Sequence, residues 1–416
     1  KGAYWDTEVK RAQERGLSGF PVFTRKPATD LCYMACAARL LNARPRLYPQ
    51  IATHNALTVA QVLEMAGGPD GFEFQRLHGM GEALYETLAQ TVPAAVCRIY
   101  APVGGHKDLL AYLVRRLLEN GANSSFVSVV GDQSVPIERL LVRPAGWLGP
   151  DQPSRHPAIP LPIDLYRPAR ANSRGLEFGH REALEKLLKG VKATAFPVPE
   201  ARPVVDGKPL DGVAREVKSP VDGRTVVGTV REASPGVAAR AIDVAASGFE
   251  SWSRKPAEER ARILDRIADL YEAKQDTLLA LLAAEGGRTL VDGLAEVREA
   301  VDFCRYYAAQ ARAQFVDRIM PGPTGEENRY RHRGRGVFVC ISPWNFPLAI
   351  FTGQIVAALV SGNAVVAKPA EQTPLIGAFA VALMHEAGIP GSALQLVPGD
   401  GAVGARLVGH AMVAGV

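Results

Sequence analysis

Short apolar runs alternate with stretches of helical periodicity through residues 1–130. Strand candidates fall at 20–23, 50–53, 71–75 and 95–100, and helix candidates at 29–41, 58–66, 81–90 and 107–120. Alternation of this kind predicts parallel βα units. The candidate strands run out into polar segments, Thr24-Arg25-Lys26, Thr53-His54-Asn55 and Gln75-Arg76-Leu77-His78, and into Tyr100-Ala101-Pro102. Chemistry in parallel α/β folds collects at those carboxyl ends.

The pattern changes over 131–200, where prolines at 144, 150, 153, 157, 160, 162 and 168 forbid ladders and long helices. This stretch is expected to be a linker with one short helix near 179–188. A second domain is expected over 201–416, opening with two long amphipathic helices, 256–284 and 290–315. A regular series follows: strand 336–341, helix 351–360, strand 363–367, helix 374–387, strand 394–397, and a glycine loop at Gly399 leading into another helix. That order predicts a doubly wound nucleotide-binding sheet.

Composition adds little beyond exclusions. With 416 residues the chain has room for two or three domains. A net charge of +5, from 48 basic and 43 acidic side chains, is too mild to argue for nucleic acid. The denser run Arg329-Tyr-Arg-His-Arg-Gly-Arg335 reads as a solvated loop. Five scattered cysteines form neither a metal-ligand pattern nor a disulfide framework, so no metal is expected and a reducing cytoplasm fits. Cys32 and Cys36 share a helical face and read as packing. No basic-then-apolar leader opens the chain, and the most apolar stretch, 348–367, is interrupted by polar residues and glycine. Lys1 opens directly into a motif and Val416 closes an apolar run, so a piece cut from a longer polypeptide is expected.

Wound at about 100° per residue, the helix candidate 107–120 places Leu109, Leu110, Leu113, Val114, Leu117 and Leu118 on one arc, and Tyr112, Arg115, Arg116 and Glu119 on the other. The polar arc is either a solvated face or a grip on a small carboxylate, since a planar guanidinium matches two oxygens. Periodicity leaves both open. Five motifs precede this helix in order: Lys1-Gly-Ala-Tyr-Trp-Asp6; Pro21-Val-Phe-Thr-Arg-Lys26 with Thr29 and Asp30; Ala52-Thr-His-Asn55; Phe72-Glu-Phe-Gln-Arg-Leu-His-Gly-Met80; and Arg98-Ile-Tyr-Ala-Pro-Val-Gly104. Here the sequence resembles the proline dehydrogenase domain of the proline utilization A family. The resemblance implies the second half of a TIM-type (β/α)8 barrel that holds FAD. It places the proline carboxylate on Arg115 and Arg116, with Leu77, Tyr100 and Tyr112 walling the ring. The flavin contacts it carries over are Gly2, Ala3, Trp5, Thr24, Lys26, Thr29, His54, Asn55, Gln75, Glu119 and Phe126.

Three further loops follow consecutive strands: Ile341-Ser-Pro-Trp-Asn-Phe-Pro347, Asn363-Ala-Val-Val-Ala-Lys-Pro-Ala-Glu371 and Gly399-Asp-Gly-Ala-Val-Gly404. The last motif by itself is weak and reads as a turn. Together the loops resemble the first half of an aldehyde dehydrogenase of the glutamate-semialdehyde branch, with a Rossmann-like NAD-binding sheet. The resemblance puts Ile341, Ser342, Pro343, Trp344, Lys368, Glu371 and Gly401 along the NAD groove and makes Asn345 an oxyanion donor. The thiolate and glutamate base of that chemistry are expected beyond Val416, because none of the five cysteines has the matching context. The implied activity is proline catabolism to glutamate, with FAD for the first oxidation and NAD for the second. Implied partners are proline, glutamate semialdehyde, a membrane quinone as electron acceptor and further copies of the chain. DNA would enter only with an amino-terminal module that this sequence lacks. The location implied is cytoplasmic, with peripheral contact to the inner membrane. The rival reading is a non-catalytic fragment or binding scaffold.

Overall fold

The computed structural model describes residues 4–120, 134–149, 154–194 and 200–416, with backbone alone at 117–120. The chain divides into two compact units, 1–14 with 19–161, and 15–18 with 162–416.

The first unit begins with helices α1 (Trp5–Glu14) and α2 (Lys26–Asn42). Next come β1 (Gln50–Ala52), α3 (Ala56–Ala66), β2 (Glu73–Leu77), α4 (Glu82–Thr91), β3 (Cys97–Tyr100), α5 (His106–Asn120) and the short α6 (Ile137–Leu140). β1, β2 and β3 pair in that order and in parallel, Ile51 opposite Phe74 and Leu77 opposite Tyr100. These are the consecutive βα units expected of one arc of a TIM-type barrel. Val59, Val62, Phe72, Phe74, Tyr85 and Leu88 form the core. The strand expected at 20–23 is not formed; Pro21 has no N–H to donate to the edge of β1, and the segment bends instead. On α5 the arc expected to be buried is open at Leu110, Leu113 and Val114.

The second unit contains α7 (Arg181–Ala193), capped by His180, and short strands β4 (Glu200–Ala201), β5 (Val204–Val205) and β6 (Lys208–Pro209). An antiparallel hairpin of β7 (Val213–Lys218) and β8 (Val226–Glu232) precedes α8 (Pro235–Ser253). Ser234 caps α8 and Pro235 occupies its first turn, where a missing N–H costs nothing. The helix expected over 256–284 is two, α9 (Ala257–Ala273) and α10 (Gln275–Gly286), broken at Lys274 with φ −102° and ψ 19°. Burial changes there from one-sided to nearly continuous, Leu278 through Leu282 all lying inside. α11 (Leu290–Gln314) follows, then a hairpin of β9 (Arg318–Met320) and β10 (Asn328–Tyr330).

The expected series then appears as β11 (Val337–Ile341), α12 (Ala349–Val360), β12 (Ala364–Lys368), α13 (Pro374–Glu386), β13 (Leu394–Leu396), α14 (Gly401–Val408) and β14 (Val413–Gly415). The sheet order is β14-β11-β12-β13-β5-β6, parallel from β14 to β13. Side chains alternate across it. Val337, Val339, Ala364 and Val366 pack with α8 and α14, whereas Cys340, Val365 and Ala367 pack with α9 to α13. The winding reverses between β11 and β14, the switch point at which such sheets take ligands.

Candidate functional site

In the first unit, His54 lies past β1 and its Nε2 accepts from the Leu77 N–H at 3.3 Å, so the neutral ring carries its proton on Nδ1. Asn55 caps α3, its Oδ1 accepting from Leu57 and Thr58 at 3.0 and 3.3 Å; the cap uses the oxygen and leaves the amide NH2 as donor. Trp5 donates to the Phe23 carbonyl at 2.7 Å. Thr24 is buried and accepts from the His156 N–H at 2.9 Å. Lys26 pairs with Asp30 at 2.6 Å across one turn of α2, and Thr29 is half-buried between them. Leu77 is buried and Tyr100 is exposed on the next strand. Gly2, Ala3, Phe126 and the Glu119 side chain lie outside the described residues.

Glu73, which sequence reasoning passed over, organises one face of the sheet. It is 1% exposed and accepts from Gln50, Gln75 and Arg98 at 2.8, 3.0 and 2.7 Å. The Arg98 guanidinium, helped by Gln75, holds its carboxyl down to about 2. An ionised carboxylate only accepts, so Gln75 turns its NH2 to Glu73 and its carbonyl oxygen elsewhere. A glutamate set between two phenylalanines, Phe72 and Phe74, was the available signal.

On α5, Arg115 and Arg116 are half-buried and share Tyr112 as a platform. Their guanidinium carbons stand 5.9 and 5.3 Å from the Tyr112 ring centre, and that of Arg115 also lies 5.8 Å from Tyr4. A guanidinium lying over a ring carries its N–H groups in one plane, the geometry that a planar carboxylate matches.

In the second unit, Ile341 ends β11 and buried Ser342 follows it, and Pro343, Trp344 and Asn345 are exposed beyond. The Ser342 N–H donates to the Lys368 carbonyl at 3.3 Å, while its hydroxyl is buried and has no hydrogen-bond partner among the described residues. Lys368 ends β12 with only 6% exposure, and its ammonium donates to the Pro369 carbonyl at 3.3 Å. Burial lowers its pKa against the opposing pull of Glu371, Asp400 and Glu232. A Cβ on Gly404 would touch the Lys368 stem at 3.5 Å and Ile341 at 3.8 Å, so the first turn of α14 closes this crevice. Gly401 has open space around it, but Asp400 caps the helix and already takes the Ala402 and Val403 N–H groups at 2.9 and 3.1 Å. A phosphate approaching Gly401 would have to displace that carboxylate. Glu371 is exposed, and its carbonyl accepts from Arg215, which ties the β7–β8 hairpin to the loop after β12. A buried hydroxyl and a buried ammonium with no carboxylate in ion-pair contact among the described residues fit a ribose-bearing ligand. Cys304 and Cys340 are buried and their thiols pushed up, Cys340 to about 12, so neither supplies a thiolate. Among the described residues no cluster of metal ligands occurs, and no helix is long and apolar enough to cross a membrane.

Comparison with known proteins gives two family matches, proline dehydrogenase over residues 1–129 and the aldehyde dehydrogenase family over residues 210–416. The bifunctional protein PutA of Klebsiella aerogenes is 47% identical across 100% of this chain, which spans about a third (32%) of that relative's length. A crystal structure of Bradyrhizobium japonicum proline utilization A superposes with a TM-score of 0.89 at 58% identity, covering 100% of this chain and 39% of that one. A Thermus 1-pyrroline-5-carboxylate dehydrogenase with bound NAD matches 58% of this chain and 48% of its own at 33% identity and a TM-score of 0.54.

Proposed function

Because this chain belongs to the proline utilization A family, we propose that it serves the two-step oxidation of proline to glutamate. In the first step proline becomes pyrroline-5-carboxylate, which opens by hydrolysis to glutamate semialdehyde. The second step oxidises that aldehyde to the acid. FAD would take the hydride in the first step and NAD in the second.

The protein's part in the first step is positioning. Arg115 and Arg116 hold the substrate carboxylate against Tyr112, and Leu77 with Tyr100 shapes the ring site. Trp5, Thr24, Lys26, Thr29, His54, Asn55 and Gln75 line the flavin, together with Gly2, Ala3, Glu119 and Phe126. In the second step Ser342, Lys368 and Glu371 hold the adenosine end of NAD, with Ile341, Pro343, Trp344 and Gly401 along its groove. Asn345 donates its side-chain N–H to the oxyanion of the thiol adduct. The thiol itself is neither Cys304 nor Cys340. Reoxidation of the flavin by a membrane quinone implies peripheral membrane contact, and the site-bearing units would assemble as homo-oligomers.

The observation that carries this reading is the presence, in one chain, of a twin-guanidinium helix closing a series of parallel βα units and a three-loop crevice at the switch point of a doubly wound sheet. A non-catalytic scaffold would have no need of either. Replacing Arg116 with Lys in the full-length protein keeps the charge but loses the planar fork, so KM for proline rises by about tenfold or more while bound FAD is retained. An unchanged KM would remove the carboxylate assignment.

A further inference from the structure

The loop between β11 and α12 carries Asn345 on an exposed segment, yet three contacts from the helical layer anchor it. Glu296 on α11 is 1% exposed, and its Oε1 accepts from the Leu348 and Ala349 N–H groups at 2.8 and 3.3 Å. Those are first-turn donors of α12, which has no side-chain cap of its own. Arg288, just before α11, places Nε 3.3 Å from the other carboxylate oxygen, and its guanidinium carbon lies 4.6 Å from the centre of the Phe346 ring. Pro347 packs near Gly286, the last residue of α10. The residues immediately after Asn345 are therefore clamped from the helical layer through side chain, ring and backbone at once.

We propose that Arg288 and Glu296 are positioning residues for Asn345: they touch no substrate and fix the backbone from which the oxyanion donor projects. This rests on the reading of Asn345 given above. A planar cation over the Phe346 ring, within ion-pair distance of a buried carboxylate, restricts where the loop can sit. Oxyanion donors act only where they are already aimed at the charge to come, so loosening the seat costs rate and spares NAD binding, which depends on Lys368 across the crevice.

A double-mutant cycle in the full-length enzyme tests this, using R288Q, N345A and R288Q/N345A. Expected are a loss in kcat of about a hundredfold for N345A and about tenfold for R288Q, with KM for NAD within twofold. R288Q adds nothing further on N345A, because a seat without its occupant has no effect on rate. R288K, which restores the cation, recovers part of the loss. An independent readout is quenching of Trp344 fluorescence by acrylamide, which R288Q and E296A raise about threefold while thermal melting stays close to wild type. A costly N345A beside a neutral R288Q, or full additivity of the two, overturns the brace and leaves the role of Asn345 intact. A neutral N345A overturns that role instead, and unchanged Trp344 quenching then overturns the brace as well.

Discussion

Glu285 offers the sharpest test of how the second unit is held together. It closes α10 and accepts from the Leu375 and Ile376 N–H groups at 2.7 and 2.9 Å, capping α13 from a helix 90 residues earlier in the chain. Thr373, the local cap position, makes no side-chain cap bond, so this distant carboxyl is what satisfies the donors. Burial pushes its pKa up to about 8 against those two N–H groups. The folded value lies above the ordinary one near 4.5. The stabilising proton is therefore fully bound below about 4.5 in both states, and stability is lost as pH rises through 8. Between pH 6 and pH 9 the unfolded chain stays ionised while the folded chain must give up a proton over two units below its pKa. At about 1.4 kcal/mol per unit, wild type loses about 3 kcal/mol across that interval. Glu285→Gln keeps one acceptor and carries no charge, so its stability relative to wild type rises by about the same 3 kcal/mol. Glu285→Ala removes both acceptors and leaves a void, falling about 3 kcal/mol below the Gln variant at every pH. Urea unfolding followed at Trp252, buried in the same core cluster, gives these differences, and hydrogen exchange at Leu375 and Ile376 localises them. A gap between Gln and wild type that stays flat, or narrows as pH rises, refutes the argument. In that case the two N–H bonds and the α13 terminus would outweigh burial and keep Glu285 ionised.

Two further predictions need less argument. Gly248→Ala places a Cβ 2.4 Å from the Ser392 carbonyl oxygen, a backbone atom that cannot swing away, and should cost about 2–3 kcal/mol in thermal or urea unfolding; Gly401→Ala, with open space at its Cβ, serves as the control that costs nothing. Glu73 is held near 2 by Arg98, so its contribution is present above about 4.5 and is lost as pH falls toward 2. Glu73→Gln should flatten the acid limb of the first unit's unfolding, and an unchanged limb would remove Glu73 from the account.

The two capping glutamates also explain which parts of this molecule could be read from its sequence. Strand and helix series such as β11 to α14 are local patterns, and their ends lie within a few residues of expectation because apolar runs and turn residues set them. The loops at their carboxyl ends were equally legible, since Ser342, Lys368 and Gly401 follow directly from where strands stop. α8 was passed over: its buried face is Ala238, Ala241, Ile242, Ala245, Gly248 and Trp252, four of the six small residues that let a helix approach a sheet closely but weaken the apolar stripe. The single helix over 256–284 was wrong because no glycine or proline marks Lys274, and only packing of the following leucines requires the bend. The expected strand at 20–23 had apolar residues but no N–H at Pro21 and gained no partner. Glu285, Glu296 and Glu73 are a different case. Each looks in sequence like an ordinary surface charge, and each is buried with a partner brought in from 25 to 91 residues away, Arg98 for Glu73 and backbone N–H groups for Glu296 and Glu285. Local periodicity has no term for such partners. The loops after β11 and β12 are thus legible in local sequence, while the helices that follow them are capped by remote carboxylates. Positional accuracy in this unit is accordingly a property of α10 and α11 as much as of the motifs themselves.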